Sequence, residues 1–193
     1  LSALSAALDR DDAGDVNEVL KRIEDALVEC VRAPDGAASA AVAARVLTRA
    51  YAKTRASSVY SRANELMETA GSAQAPALAR ASAFDALTRL MTAFGDRLHG
   101  CVHGFVSAAC ASAKPSDDVG VKRAALKLLA TTCARSNGAL DERVIGVALK
   151  TLVKLEGERD VGARAVRAEA LGTLARAWSS STAHLKAKDA RAK

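Results

Sequence analysis

Residues 166–178 read VRAEALGTLARAW, with Val166, Ala170, Leu171 and Leu174 at i, i+4, i+5 and i+8 and the small residues Gly172, Ala175 and Ala177 between them. That spacing places the four apolar side chains along one side of a 3.6-residue helix. The small residues let a second helix approach closely. A lone helix of this length is marginal in water, because most helical stability in proteins comes from packing an amphipathic face. The stretch therefore predicts one helix stacked among others.

Composition extends that reading to the whole chain. Half of the 193 residues are hydrophobic, yet aromatics make up only 3%. Ala and Leu favour helices, whereas strands favour β-branched and aromatic residues. The fold class expected is all-α. Pro34, Pro76 and Pro115 coincide with breaks between helix-sized segments, as do Gly14, Gly36, Gly71, Gly138 and Gly157. Four antiparallel pairs are predicted: 15–33 with 37–54, 58–70 with 77–94, 97–113 with 117–135, and 140–156 with 160–178. Asp15, with Glu18 three residues later, has capping-box spacing, and Asp117 and Asp141 are expected to cap later helices. Residues 1–14 read as the tail of a preceding helix or a linker, and 180–193 as a basic polar tail or linker. The chain opens at Leu1 without an initiator Met, which predicts a piece of a longer protein.

Superposing the second segment of each pair aligns Leu47, Leu87, Leu126 and Leu171, three of them preceded by Ala86, Ala125 and Ala170. A period near 40 with two helices per unit predicts a right-handed α-solenoid of about four antiparallel helix pairs. Leu126 and Leu171 are expected in its core.

DDVGVKRAALKLLA (117–130) and VRAEALGTLA (166–175) resemble the inner helix of HEAT and armadillo-type repeats, with Val121-Lys122 and Val166-Arg167 at its Val-Arg pair and Asp118 at its upstream Asp. The first two units have Val42-Ala43 and Ser82-Ala83 there. A closer resemblance covers about 43–177, carried by AARVLTRAYAKTRASSVYSRANELM (43–67), ASAFDALTRLMTAFGDRLHGCV (81–102) and VRAEALGTLA. These are similar to the amino-terminal part of the large clathrin-adaptor-associated HEAT-repeat family that includes plant SWEETIE. Lys53-Thr54 stand where that family has Gly-Asp. The resemblance implies a cytoplasmic protein peripheral to Golgi and endosome membranes, with clathrin adaptor components as partners in vesicle-mediated transport between trans-Golgi and endosomes.

Charge is uneven along the chain. Residues 1–35 carry nine acidic and four basic residues, whereas 101–193 carry nine acidic and sixteen basic. No apolar run reaches the roughly 18–20 residues that a membrane span needs, so membrane association is expected to be indirect. Cys30, Cys101, Cys110 and Cys133 lack C-x-x-C spacing and read as buried free thiols of a reducing compartment.

The candidate site is a basic stripe. Arg45, Arg49 and Lys53 recur at i, i+4 and i+8 and share a helix face. Lys127, Arg135, Arg164 and Arg176 fall on later second helices, so together they predict a partner-binding trough for acidic peptide or phosphate. Nucleic acid is the alternative ligand, in a nuclear scaffold using the same basic surface. For Lys122 and Arg167, which lie on the same later helices, the HEAT resemblance implies a structural role instead, bonding across the turn within their own unit. His99 and His103 are four apart, but Cys101 points about 160° away on a helix that turns roughly 100° per residue, so no metal site is predicted. No Gly-x-Ser-x-Gly elbow or Gly-rich phosphate loop occurs. Paired acids such as Asp117-Asp118 and Asp141-Glu142 precede helices and favour the positive dipole end. The expected function is a non-catalytic protein-binding scaffold without cofactors.

Overall fold

The computed structural model describes residues 13–54, 57–114, 117–136 and 140–191. Among them the chain is all-helical, with no strand. The α-helices are α1 Ala13–Arg32, α2 Ala37–Thr54, α3 Val59–Gly71, α4 Ala77–Phe94, α5 Val102–Ser112, α6 Val119–Arg135, α7 Glu142–Lys154 and α8 Val161–Arg191, with a short 3₁₀ turn, His99–Cys101, before α5. None is long and apolar enough to cross a membrane, among the described residues.

Packing follows the predicted pairing. α1 packs on α2, α3 on α4, α5 on α6 and α7 on α8. Second helices then meet in succession, α2 with α4, α4 with α6, and α6 with α8. First helices do the same more loosely, and α1 also reaches α4.

Several boundaries differ from the sequence reading. α1 is helical from the first described residue, Ala13, so Asp15 lies within the helix and is no N-cap. α6 is capped by Asp118, whose carboxylate accepts from the amides of Gly120 (2.8 Å) and Val121 (3.1 Å). Asp117 instead accepts from the amide of Lys114 at 3.0 Å and stands 3.8 Å from Arg80. Asp141 does cap α7, accepting from Val144 at 2.8 Å. α8 continues to Arg191, so the expected tail from residue 180 is helical through that point. The reading of 1–14 lies, apart from its last two residues, outside the described residues.

The observed helix starts also correct the alignment. Second helices begin at Ala37, Ala77, Val119 and Val161, which are 40, 42 and 42 residues apart. Counting from those starts, the eleventh residue is Leu47, Leu87, Leu129 and Leu171, so Leu129 takes the place given to Leu126. The tenth residues, Val46, Ala86, Leu128 and Ala170, and the fourteenth, Ala50, Leu90, Thr132 and Leu174, are all buried. Leu126 is buried too, while Leu171 is only partly covered. The one-sided packing of α8, which has α6 and α7 as its neighbours, explains the difference.

Basic side chains tie each pair to the next. Arg32 on α1 donates to Thr69 on α3 at 3.0 Å, and Arg62 on α3 pairs with Asp25 on α1. Arg80 on α4 donates to Ser112 at 3.0 Å besides facing Asp117. Lys122 and Arg123 on α6 reach Glu158 and Asp160 in the α7–α8 turn, each at 2.5 Å. These links, one set at every junction, join residues 36 or 37 positions apart in all but one case. Small residues admit the same approach: a Cβ on Gly104 of α5 would lie 2.8 Å from Met67 Sδ of α3, and one on Gly162 of α8 would lie 2.6 Å from the Arg123 guanidinium.

Candidate partner-binding face

α4 and α6 are covered on most sides, and their outward residues form narrow stripes. The stripes obey the helix count. Arg45, Arg49 and Lys53 are the ninth, thirteenth and seventeenth residues of α2. Asp85, Arg89 and Ala93 hold the same positions on α4, and Lys127, Thr131 and Arg135 on α6. Positions four apart repeat every turn with a small drift, so each helix contributes one column of a grid and each position one row.

The structure brings these columns together. Thr48 of α2, Asp85, Thr88, Arg89, Thr92 and Ala93 of α4, and Lys127 of α6 line an open depression of about 450 Å³. A second one shares Thr92 and Ala93 and continues to Gly95, Asp96, Arg97 and Arg135. Gly95 permits the close approach, since a Cβ there would meet Arg135 Cβ at 3.1 Å and the Met91 carbonyl at 3.2 Å. Arg97 lies 5.6 Å from the Phe94 ring centroid, within cation–π range.

Electrostatically the face is basic, with Asp85 in the first depression and Asp96 in the second. Asp85 has a solvent-open side, yet desolvation by its surroundings pushes its carboxyl up, while the nearby Lys127 and Arg89 cations pull it down. The threonine hydroxyls are turned inward: Thr48 donates to the Ala44 carbonyl, Thr88 to Phe84 and Thr92 to Thr88, all within 2.8 Å. Of the cationic side chains in the lining, Arg89, Lys127 and Arg135 are then the donors that face a ligand.

The predicted residues do not all meet here. Lys127 and Arg135 line the depressions, and Arg45 and Arg49 are exposed on the adjoining α2, where Lys53 is half-buried. Arg164 and Arg176 are exposed on α8, away from both depressions. Arg164 is the fourth residue of α8, the position from which Arg80 and Lys122 reach the following pair on α4 and α6. Arg167 is structural in the expected manner, donating to the Leu152 carbonyl of α7 at 2.6 Å. Lys122 is structural differently, since its partner Glu158 belongs to the next pair. Asp85 and Arg89 were missed because a single acid and a single Arg on α4 form no stripe; only the helix count places them in the grid.

Elsewhere the chemistry-bearing residues disperse. His99 and His103 are exposed, with His103 Nε2 3.9 Å from Asp141, and Cys101 is buried. No cluster of three or more His, Cys, Asp or Glu is arranged to hold a metal, among the described residues. Cys30 is exposed, contrary to expectation, because it lies on the outer side of α1. Cys101, Cys110 and Cys133 are buried, and burial first, then the neighbouring Cys110, pushes the Cys133 thiol up to about 12. No protein-family model, curated protein or solved structure matches the chain.

Proposed function

We propose that the chain is a non-catalytic protein-binding scaffold, a right-handed α-solenoid of HEAT type whose second helices present a common face to a partner. The observation that carries this reading is the succession of contacts from α2 to α4 to α6 to α8, cross-linked at each junction by basic side chains, all but one of whose links span 36 or 37 positions. Arrays in which units contact chiefly their neighbours offer extended binding surfaces. The resemblance to the clathrin-adaptor-associated HEAT family adds a partner class, adaptor components acting in trans-Golgi and endosomal traffic, and with it a cytoplasmic location peripheral to those membranes. The basic face favours a second reading, a nuclear scaffold that holds nucleic acid.

The test is a pull-down with the 193-residue chain from cytosolic and nuclear extracts at low and high salt. Stoichiometric retention of adaptor or coat proteins at moderate salt supports the trafficking scaffold. Nucleic acid that leaves steeply as salt rises favours the second reading, because such binding releases counterions. Recovery of neither counts against a free-standing binding role.

A further inference from the structure

We infer that the α2–α4–α6 face is a docking site for an acidic, extended peptide segment, held mainly by Arg89 and Arg135 and tuned by Asp85. This deepens the scaffold reading and rests on it.

Charge complementarity is the first argument. The second helices α2, α4 and α6 hold a single acidic residue, Asp85, while α1 and α3 carry an acidic excess in Glu18, Glu24, Asp25, Glu29, Glu65 and Glu68. Of the basic residues on those second helices, Arg80, Lys122 and Arg123 are committed to junctions. The others lie in the grid. Its ninth-residue row alternates in sign, Arg45, Asp85, Lys127, and so largely compensates itself. The thirteenth and seventeenth rows contain no acid. With Asp96 counted beside Asp85, the lining of the two joined depressions still carries four cations, Arg89, Arg97, Lys127 and Arg135, against two acids, so a net positive charge faces a ligand there.

Geometry sets the length. Two interaxial steps of 8–10 Å separate α2 from α6, so an extended segment of about six residues at roughly 3.3 Å each crosses the face. Carboxylates suit the donors better than neutral groups, since the threonine hydroxyls already bond to their own helices. Protein is favoured over single-stranded nucleic acid because, among the described residues, the exposed large aromatics Tyr60 on α3 and Trp178 on α8 line neither depression, and Phe94, which lines the second, is buried with Arg97 over its ring, so the face offers bases no open aromatic platform.

The experiment is fluorescence anisotropy with a rhodamine-labelled oligoglutamate of about six residues, titrated with the intact chain at low and physiological salt. Arg89→Glu/Arg135→Glu is expected to weaken binding about ten-fold or more, since each reversal replaces an attraction by a repulsion. Arg164→Glu/Arg176→Glu on α8 is expected to change it less than about two-fold. Asp85→Asn is expected to tighten it several-fold, a gain that loss of folding does not produce. Equal losses in the two double variants, no gain with Asp85→Asn, or no measurable oligoglutamate binding overturns the inference. So does tighter binding of a single-stranded oligonucleotide of matched charge. If extract proteins are retained equally by wild type and Arg89→Glu/Arg135→Glu, the scaffold reading stands and this docking site falls.

Discussion

Lys122 Nζ lies 2.5 Å from Glu158 Oε2, joining the first turn of α6 to the α7–α8 turn with both side chains almost closed off from solvent. An ammonium in such a place is tolerated only with a charged or hydrogen-bonding partner. The partner responds in kind: the Lys122 hydrogen bond, followed by the amide of Asp160, holds the Glu158 carboxyl below the usual range. Arg123, next along α6, makes a similar link to Asp160 from a side chain that is half exposed.

The two links are thus expected to differ in weight. Lys122→Ala leaves a cavity and a carboxylate without its cation, whereas Arg123→Ala removes an ion pair that water screens. In urea denaturation, Lys122→Ala should lower the midpoint clearly more than Arg123→Ala. Lys122→Met/Glu158→Gln, which retains volume and removes both charges, should recover part of the loss. Equal midpoints for the two alanine variants would remove the burial argument.

The corrected alignment makes a second prediction. Leu129 and Leu126 are fully buried, and truncating either to Ala should cost about 2–5 kcal/mol. Leu171 shares the eleventh position with Leu129 but is only partly buried, so Leu171→Ala should cost less than Leu174→Ala, whose side chain is buried three residues on. Denaturant midpoints of the four variants test the order. A larger loss at Leu171 than at Leu174 would show that α8 turns another face to α6.

How far the sequence was legible depended on the kind of signal. Helices α2 and α4 were bounded to the residue, because Gly36 and Pro76 sit directly before their starts. α8 was misjudged at its far end, since nothing in the polar stretch after Trp178 stops a helix: it contains neither Gly nor Pro. Leucine spacing does not separate Leu126 from Leu129, as both occupy the buried side of α6 and only the helix start distinguishes them. The stripe on α2 was visible because three cations recur at four-residue spacing. Its continuation on α4 was not, because one position is acidic and another is Ala93, and sequence alone does not reveal which columns stand side by side.

Acid should expose the Arg123–Asp160 link. The Arg123 hydrogen bond, then the Ala163 amide, hold the Asp160 carboxyl down at about 2 against an ordinary 3.8, and Glu158 beside it is also lowered, from 4.5. A carboxyl with a folded-state pKa below its unfolded value contributes stability above the unfolded pKa and loses it as pH falls through the folded one. Stability from this turn should therefore be complete near pH 5 and fade toward about pH 2. The gap in urea midpoint between wild type and Arg123→Ala should narrow over that window. Gly162→Ala should narrow it likewise, since the added Cβ would sit 2.6 Å from the guanidinium and must push it off Asp160. A wild-type advantage over Arg123→Ala that stays constant from about pH 5 down to about 2 would mean that Arg123 supports this junction by packing and not by charge.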